Sequence, residues 1–188
     1  MPSASEGDEP DRRRRFEDLY CAHQVPLLGF ALRRTRSSDD AADVLAETFL
    51  VAWRRLEEIP AGPPARLWLY GTARRVLANL HRGERRRLAL ADRLKAELAV
   101  SYRPAAPAGE LAEISAAFGR LPAADRELLA LASWEGLDAG QIAVVLQCSR
   151  NAVRIRLHRA RRRLAAELDR PHVPPAPIRA QVRNGDLA

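Results

Sequence analysis

Residues 138–168, DAGQIAVVLQCSRNAVRIRLHRARRRLAAEL, constrain the fold more than any other stretch of the chain. Asp138 suits the N-cap of a short apolar helix, QCS makes a three-residue turn, and Ser149 suits the cap of a longer helix. A short helix, a tight turn and a longer helix is helix-turn-helix spacing. In the longer helix Val153, Leu157, Ala160, Leu164 and Leu168 recur at helical intervals and predict the buried stripe. That stripe turns Arg150, Asn151, Arg154, Ile155 and His158 outward near the helix start, where a recognition helix reaches base edges in a major groove. Arginine can hold guanine and asparagine adenine through paired hydrogen bonds, each worth roughly 1–3 kcal/mol of discrimination. Arg156, Arg159 and Arg161 to Arg163 are better placed for phosphates, where they add salt-dependent affinity. An arginine-rich helix on its own is equally a solvated face. The capped helix and turn before this one favour DNA.

Upstream, LPAADRELLALASWEGL carries Pro122 where a helix starts and Gly136 where it ends. Ser38 or Asp39 is the expected N-cap of a helix through AADVLAETFLVAWRRL, whose Val44, Leu45, Thr48, Phe49, Ala52 and Leu56 share one face. Pro63 and Pro64 precede ARLWLYGTARRVLANLHR, where Leu69, Ala73, Val76 and Leu80 form an apolar stripe. Tyr70, Arg74, Arg75, Asn79 and Arg82 fall on its other faces. No segment alternates at period two for long enough to make a sheet, so the expected fold is all-α. Punctuation divides it into a mobile arm (1–15), a helical domain (16–87), a flexible linker (88–110) ending in SYRPAAPAG, a second helical domain (111–168) and a disordered Pro-rich tail (169–188).

Charge is partitioned between these pieces. Residues 37–60 hold six acids and two arginines, whereas 66–87 hold seven arginines and Glu84 alone. The pattern implies two different macromolecular surfaces, or else internal pairing between the two segments. The formal net charge of +7 favours a polyanionic partner. Lys95 is the single lysine among the 31 basic side chains, a skew that points to a high-GC genome. The polar, acidic N-terminus does not read as a signal peptide, and no apolar run approaches the ~18 residues needed to cross a bilayer. Cys21 and Cys148 stand far apart, which fits a reduced, cytoplasmic chain.

Four patterns in order resemble one family, the extracytoplasmic-function (ECF) sigma factors of bacterial RNA polymerase. FEDLYCAHQVPLLGFALRRT is similar to the start of their region 2, and DDAADVLAETFLVAWRRL to the acidic helix that binds the polymerase β′ coiled coil. ARLWLYGTARRVLANLHRGERRR resembles the segment that recognises and opens the promoter −10 element. LPAADRELLALASWEGLDAGQIAVVLQCSRNAVRIRLHRARRRL resembles region 4, which reads the −35 element and touches the β flap. The resemblance implies polymerase contacts through Asp39, Asp40, Asp43, Glu47 and Trp53. It implies −10 contacts through Tyr70, Thr72, Arg74, Arg75, Asn79 and Arg82, with a flipped base held or stacked among them. It implies −35 contacts through Ser149, Arg150, Asn151, Arg154, Ile155, Arg156, His158 and Arg159. Core polymerase, promoter DNA and an anti-sigma factor are the implied partners, without a cofactor, a metal or membrane insertion.

Two positions depart from the family pattern: Ile155 stands where small polar residues are common, and Gly140 where an acid is usual. Other readings fit less of the chain. A free-standing helix-turn-helix regulator needs a receiver or ligand-binding domain that 16–87 does not resemble. An enzyme is not suggested by four histidines scattered outside any HExxH, GxSxG or phosphate-loop context. A basic RNA adaptor leaves the acidic segment from Asp39 to Glu58 without a purpose.

Overall fold

The structure, a computed structural model, describes the backbone of residues 8–94 and 110–170 and the side chains within 9–83 and 113–170. The described residues form seven α-helices and one short 3-10 turn: α1 (Asp8–Leu32), α2 (Ser38–Arg54), the turn Leu56–Glu58, α3 (Pro64–Leu94), α4 (Glu110–Arg120), α5 (Ala123–Ser133), α6 (Ala139–Leu146) and α7 (Arg150–Leu168). Helices α1 to α3 pack together as one module, and α4 to α7 as a second.

In the first module Leu27, Phe30 and Ala31 of α1 meet Val44, Phe49 and Ala52 of α2 and Leu69, Ala73 and Leu77 of α3, all buried. Helix α2 starts one residue earlier than the sequence suggests. Ser37, in extended conformation, accepts the Asp40 N–H at 3.0 Å, and Ser38 is already helical. Asp39 and Asp40 then occupy the first turn, where carboxylates favour the positive helix end.

Two boundaries differ from the sequence reading. Residues 8–15, expected in a mobile arm, form the first turns of α1. Their arginines supply donors to carbonyls left open where α2 and the 3-10 turn end. The Arg12 Nη2 donates to the Trp53 carbonyl at 2.8 Å and the Arg15 Nη2 to the Ile59 carbonyl at 2.8 Å. At the other boundary, α3 runs on to Leu94, so 88–94 is helix rather than linker. Most of the expected linker (95–109) and the tail from 171 lie outside the described residues.

The second module closes around Leu121, Leu128, Leu131, Ile142, Val145, Val153 and Leu157. Arg120 Nε donates to Glu167 Oε2 at 2.6 Å, and Arg163 pairs with the buried Asp125, so α4 and α5 are tied to the far end of α7. Leu164 is half-buried, but Leu168 is 45% exposed, so the predicted stripe stops one turn short.

The modules meet along α3 and α6 and through an ion-pair cluster. Gly71 faces the Val145 carbonyl. Glu135, 8% exposed, accepts from Arg33 Nη2 at 2.8 Å and from Arg34 Nη1 at 3.0 Å, while Arg34 Nε reaches Glu127 Oε2 at 3.1 Å. Arg34 also lies over the Phe30 ring, and Arg33 over Trp134.

Candidate nucleic-acid interface

Local chemistry builds the helix-turn-helix in the expected register. Asp138 Oδ1 accepts the Gly140 and Gln141 N–H groups at 2.6 and 2.9 Å, and the Gln141 side chain accepts the Asp138 N–H at 3.0 Å. This reciprocal capping box satisfies donors at the start of α6. The backbone hydrogen bonds, from Gln141 first, hold the Asp138 carboxyl below the usual range. Gly140 belongs to this cap: a Cβ there would lie 3.1 Å from Asp138 Oδ1. Gly140 thus leaves room for the capping carboxylate.

At the other end of α6 Gln147 takes a left-handed conformation (φ 53°), and the Cys148 N–H closes back on the Ala143 carbonyl at 3.0 Å. Ser149 Oγ then accepts the Ala152 N–H at 3.2 Å and starts α7. Val153, Leu157 and Ala160 are buried against the module. Ser149, Arg150, Asn151, Arg154, Ile155, Arg156, His158 and Arg159 are all exposed. The arginines further along, Arg161 to Arg163, are all exposed, but Arg163, expected on phosphate, is also paired with Asp125.

The basic face of α3 is narrower than the six residues singled out there. Arg74, Arg75, Asn79 and Arg82 are exposed, and Arg82 donates to the Asn79 side-chain oxygen. Tyr70 and Thr72 are not on that surface. Tyr70 is 3% exposed, its ring centroid 5.0 Å from that of Phe30, and burial followed by the nearby Glu135 carboxylate pushes its phenol up. Thr72 is 4% exposed. Helical phase explains the correction: Tyr70 and Thr72 flank Leu69 and Ala73 on an apolar arc that faces α1, α2 and α6, wider than the four-residue stripe suggests.

On α2, Asp39, Asp43 and Glu47 are exposed and Asp40 is half-buried beside Ser37. Glu57 and Glu58 pair with Arg15 and Arg55. The four α2 carboxylates form no ion pair among the described residues. Trp53 is half-buried, edge-on to Phe16 at 5.1 Å and under the Arg12 guanidinium at 4.8 Å. Trp68 is half-buried with Arg55 over its ring, and Trp134 is 53% exposed against Phe118. Cys21 and Cys148 are free thiols, and no helix among the described residues is long and apolar enough to cross a membrane.

A helical module with an acidic helix and an arginine-bearing helix, followed by a helix-turn-helix with an arginine-covered second helix, defines a class: two-module DNA-binding proteins of transcription. Comparison with known proteins makes this specific. Residues 19–87 match the family described as sigma-70 region 2, and residues 111–164 the one described as sigma-70, region 4. The RNA polymerase sigma factor CnrH of Cupriavidus metallidurans is 30% identical over 168 residues, covering 84% of this chain and 88% of that one. The ECF RNA polymerase sigma factor SigL of Mycobacterium tuberculosis is 31% identical over 160 residues, covering 80% and 86%. The solved structure of CnrH in complex with the cytosolic domain of CnrY superposes with a TM-score of 0.60 at 30% identity over 84% of this chain and 89% of that chain. The sigma factor RpoE of Bartonella quintana, solved in complex with the anti-sigma factor NepR, shares the fold at a TM-score of 0.63 and 24% identity, over 82% and 98%.

The chain belongs to the ECF sigma factors. It is an RNA polymerase sigma factor that directs transcription initiation.

The sequence reading missed the contribution of Arg12 and Arg15, which fell within the expected arm, and of Glu135, which it did not single out. A signal for the first was present: four consecutive arginines beside FEDLY continue a helix without a breaker.

Proposed function

We propose that the exposed face of α7 reads the −35 element and that Arg74, Arg75, Asn79 and Arg82 on α3 read and help open the −10 element. The observation that carries this is that all eight recognition residues from Ser149 to Arg159 are exposed, behind a capped helix and a tight turn. Arg150, Asn151 and Arg154 address base edges; Arg156 and Arg159 address phosphates. The carboxylates of Asp39, Asp40, Asp43 and Glu47, with Trp53 further along α2, dock on the β′ coiled coil of core polymerase, and the second module touches the β flap. The protein performs no covalent chemistry and acts in the cytoplasm, where the polymerase is.

A protein that sequesters the chain, an anti-sigma factor, completes the account. Its support is that CnrH was solved in complex with the cytosolic domain of CnrY. The test is transcription in vitro with purified chain, core polymerase and a pool of genomic promoter fragments, followed by sequencing of RNA 5′ ends. Defined starts that depend on this chain and share motifs near −35 and −10 are expected. Tight DNA binding by the chain alone, with no initiation, contradicts the assignment.

A further inference from the structure

From its place on α7 we infer that Ile155 reads the 5-methyl group of a thymine in the −35 element and so sets this chain's promoter preference. The inference rests on the placement of α7 in the major groove proposed above.

Ile155 is 45% exposed on a helix whose other outward residues are almost all polar or charged. At about 100° per residue it stands roughly opposite the buried line through Val153, Leu157 and Ala160. The centre of the outward face is therefore apolar. Asn151 lies one turn before it, and His158 and Arg159 one turn after, all exposed.

A branched hydrocarbon can neither donate to a guanine nor neutralise a phosphate. On a major-groove floor its best partner is the thymine methyl, the largest apolar group that any base edge presents there. The position also makes that contact specific. A β-branched side chain in a helix is held to one χ1 well, so little freedom is lost when it is seated. Placed opposite the donor or acceptor groups of another base, it leaves them without a partner, which adds rejection to attraction.

The experiment uses holoenzyme made from the full chain and core polymerase on a promoter it transcribes. Each −35 thymine, on either strand, is replaced in turn by deoxyuridine, which removes only the methyl. Binding is expected to weaken roughly fourfold at one thymine, the fold-change of one methyl at ~0.8 kcal/mol. Ile155→Ser is expected to bind thymine and uracil templates equally at that position, and Ile155→Val to keep part of the difference. Because Ile155 is exposed, the variants retain the fold, checked by unchanged assembly with core polymerase. A flat deoxyuridine scan on a promoter that is transcribed overturns the inference. So does a methyl effect that survives in Ile155→Ser. Absence of any initiation instead overturns the promoter-reading account beneath it.

Discussion

Glu135 and Arg34 lie about a hundred positions apart and form an ion pair, Nη1 to Oε1 at 3.0 Å, in which the carboxylate side chain is 2% exposed and the guanidinium side chain 10%. Arg33 completes the carboxylate's coordination from its second oxygen at 2.8 Å. One carboxylate thus joins the end of α1 to the turn after α5. Removing one partner of such a pair strands a buried charge, so Glu135→Gln is expected to lower stability by about 2–4 kcal/mol in urea denaturation. An unchanged midpoint would mean that the cluster holds nothing together.

Gln147 sits in the left-handed region where glycine is the unstrained residue. A non-glycine residue there costs roughly 1–3 kcal/mol, part of which glycine returns to the flexibility of the unfolded chain. Gln147→Gly is expected to raise stability by about 0.5–1 kcal/mol, and Gln147→Val to lower it. Thermal denaturation reads both, and the opposite order of melting temperatures would contradict the turn geometry.

Asp138 caps α6 as a carboxylate whose pKa is depressed by the N–H groups it accepts. A depressed folded pKa means that the stabilisation is present above the ordinary carboxyl value and is lost as pH falls through the folded one. Asp138→Ala is expected to melt below the wild type at neutral pH, with the gap closing as the pH falls below the carboxylate range. A gap of the same size at acid pH would show that the charge plays no part in the cap.

The acidic face of α2 is exposed and makes no ion pair among the described residues, so its reversal leaves the interior untouched. Asp43→Arg with Glu47→Arg is expected to weaken assembly with core polymerase roughly tenfold or more while the melting temperature holds within a degree or two. Assembly at wild-type affinity would move the polymerase contact elsewhere.

The helix-turn-helix was legible in the sequence because capping residues and turn chemistry are local: Asp138, Gln147 to Ser149, and the stripe from Val153 to Ala160 need no distant partner. The α3 face was less so. Whether Tyr70 points to DNA or to Phe30 depends on where α1 and α6 settle, which no spacing within α3 records. Arg12, Arg15 and Arg163 share that difficulty. Their partners, the Trp53 and Ile59 carbonyls and Asp125, lie about forty residues away, and an arginine run reads alike whether it meets solvent, phosphate or a helix end.

The central claim is that two arginine-bearing faces read two promoter elements separately. Its most direct measurement is initiation by reconstituted holoenzyme on a template library randomised at −35 and −10, with transcripts counted for each sequence. Asn151→Ala with Arg154→Ala is predicted to relax discrimination at −35 by about tenfold and leave −10 preferences intact. Arg75→Ala with Asn79→Ala is predicted to do the reverse. If both pairs altered the same element, or neither altered either, the two-face account would be contradicted.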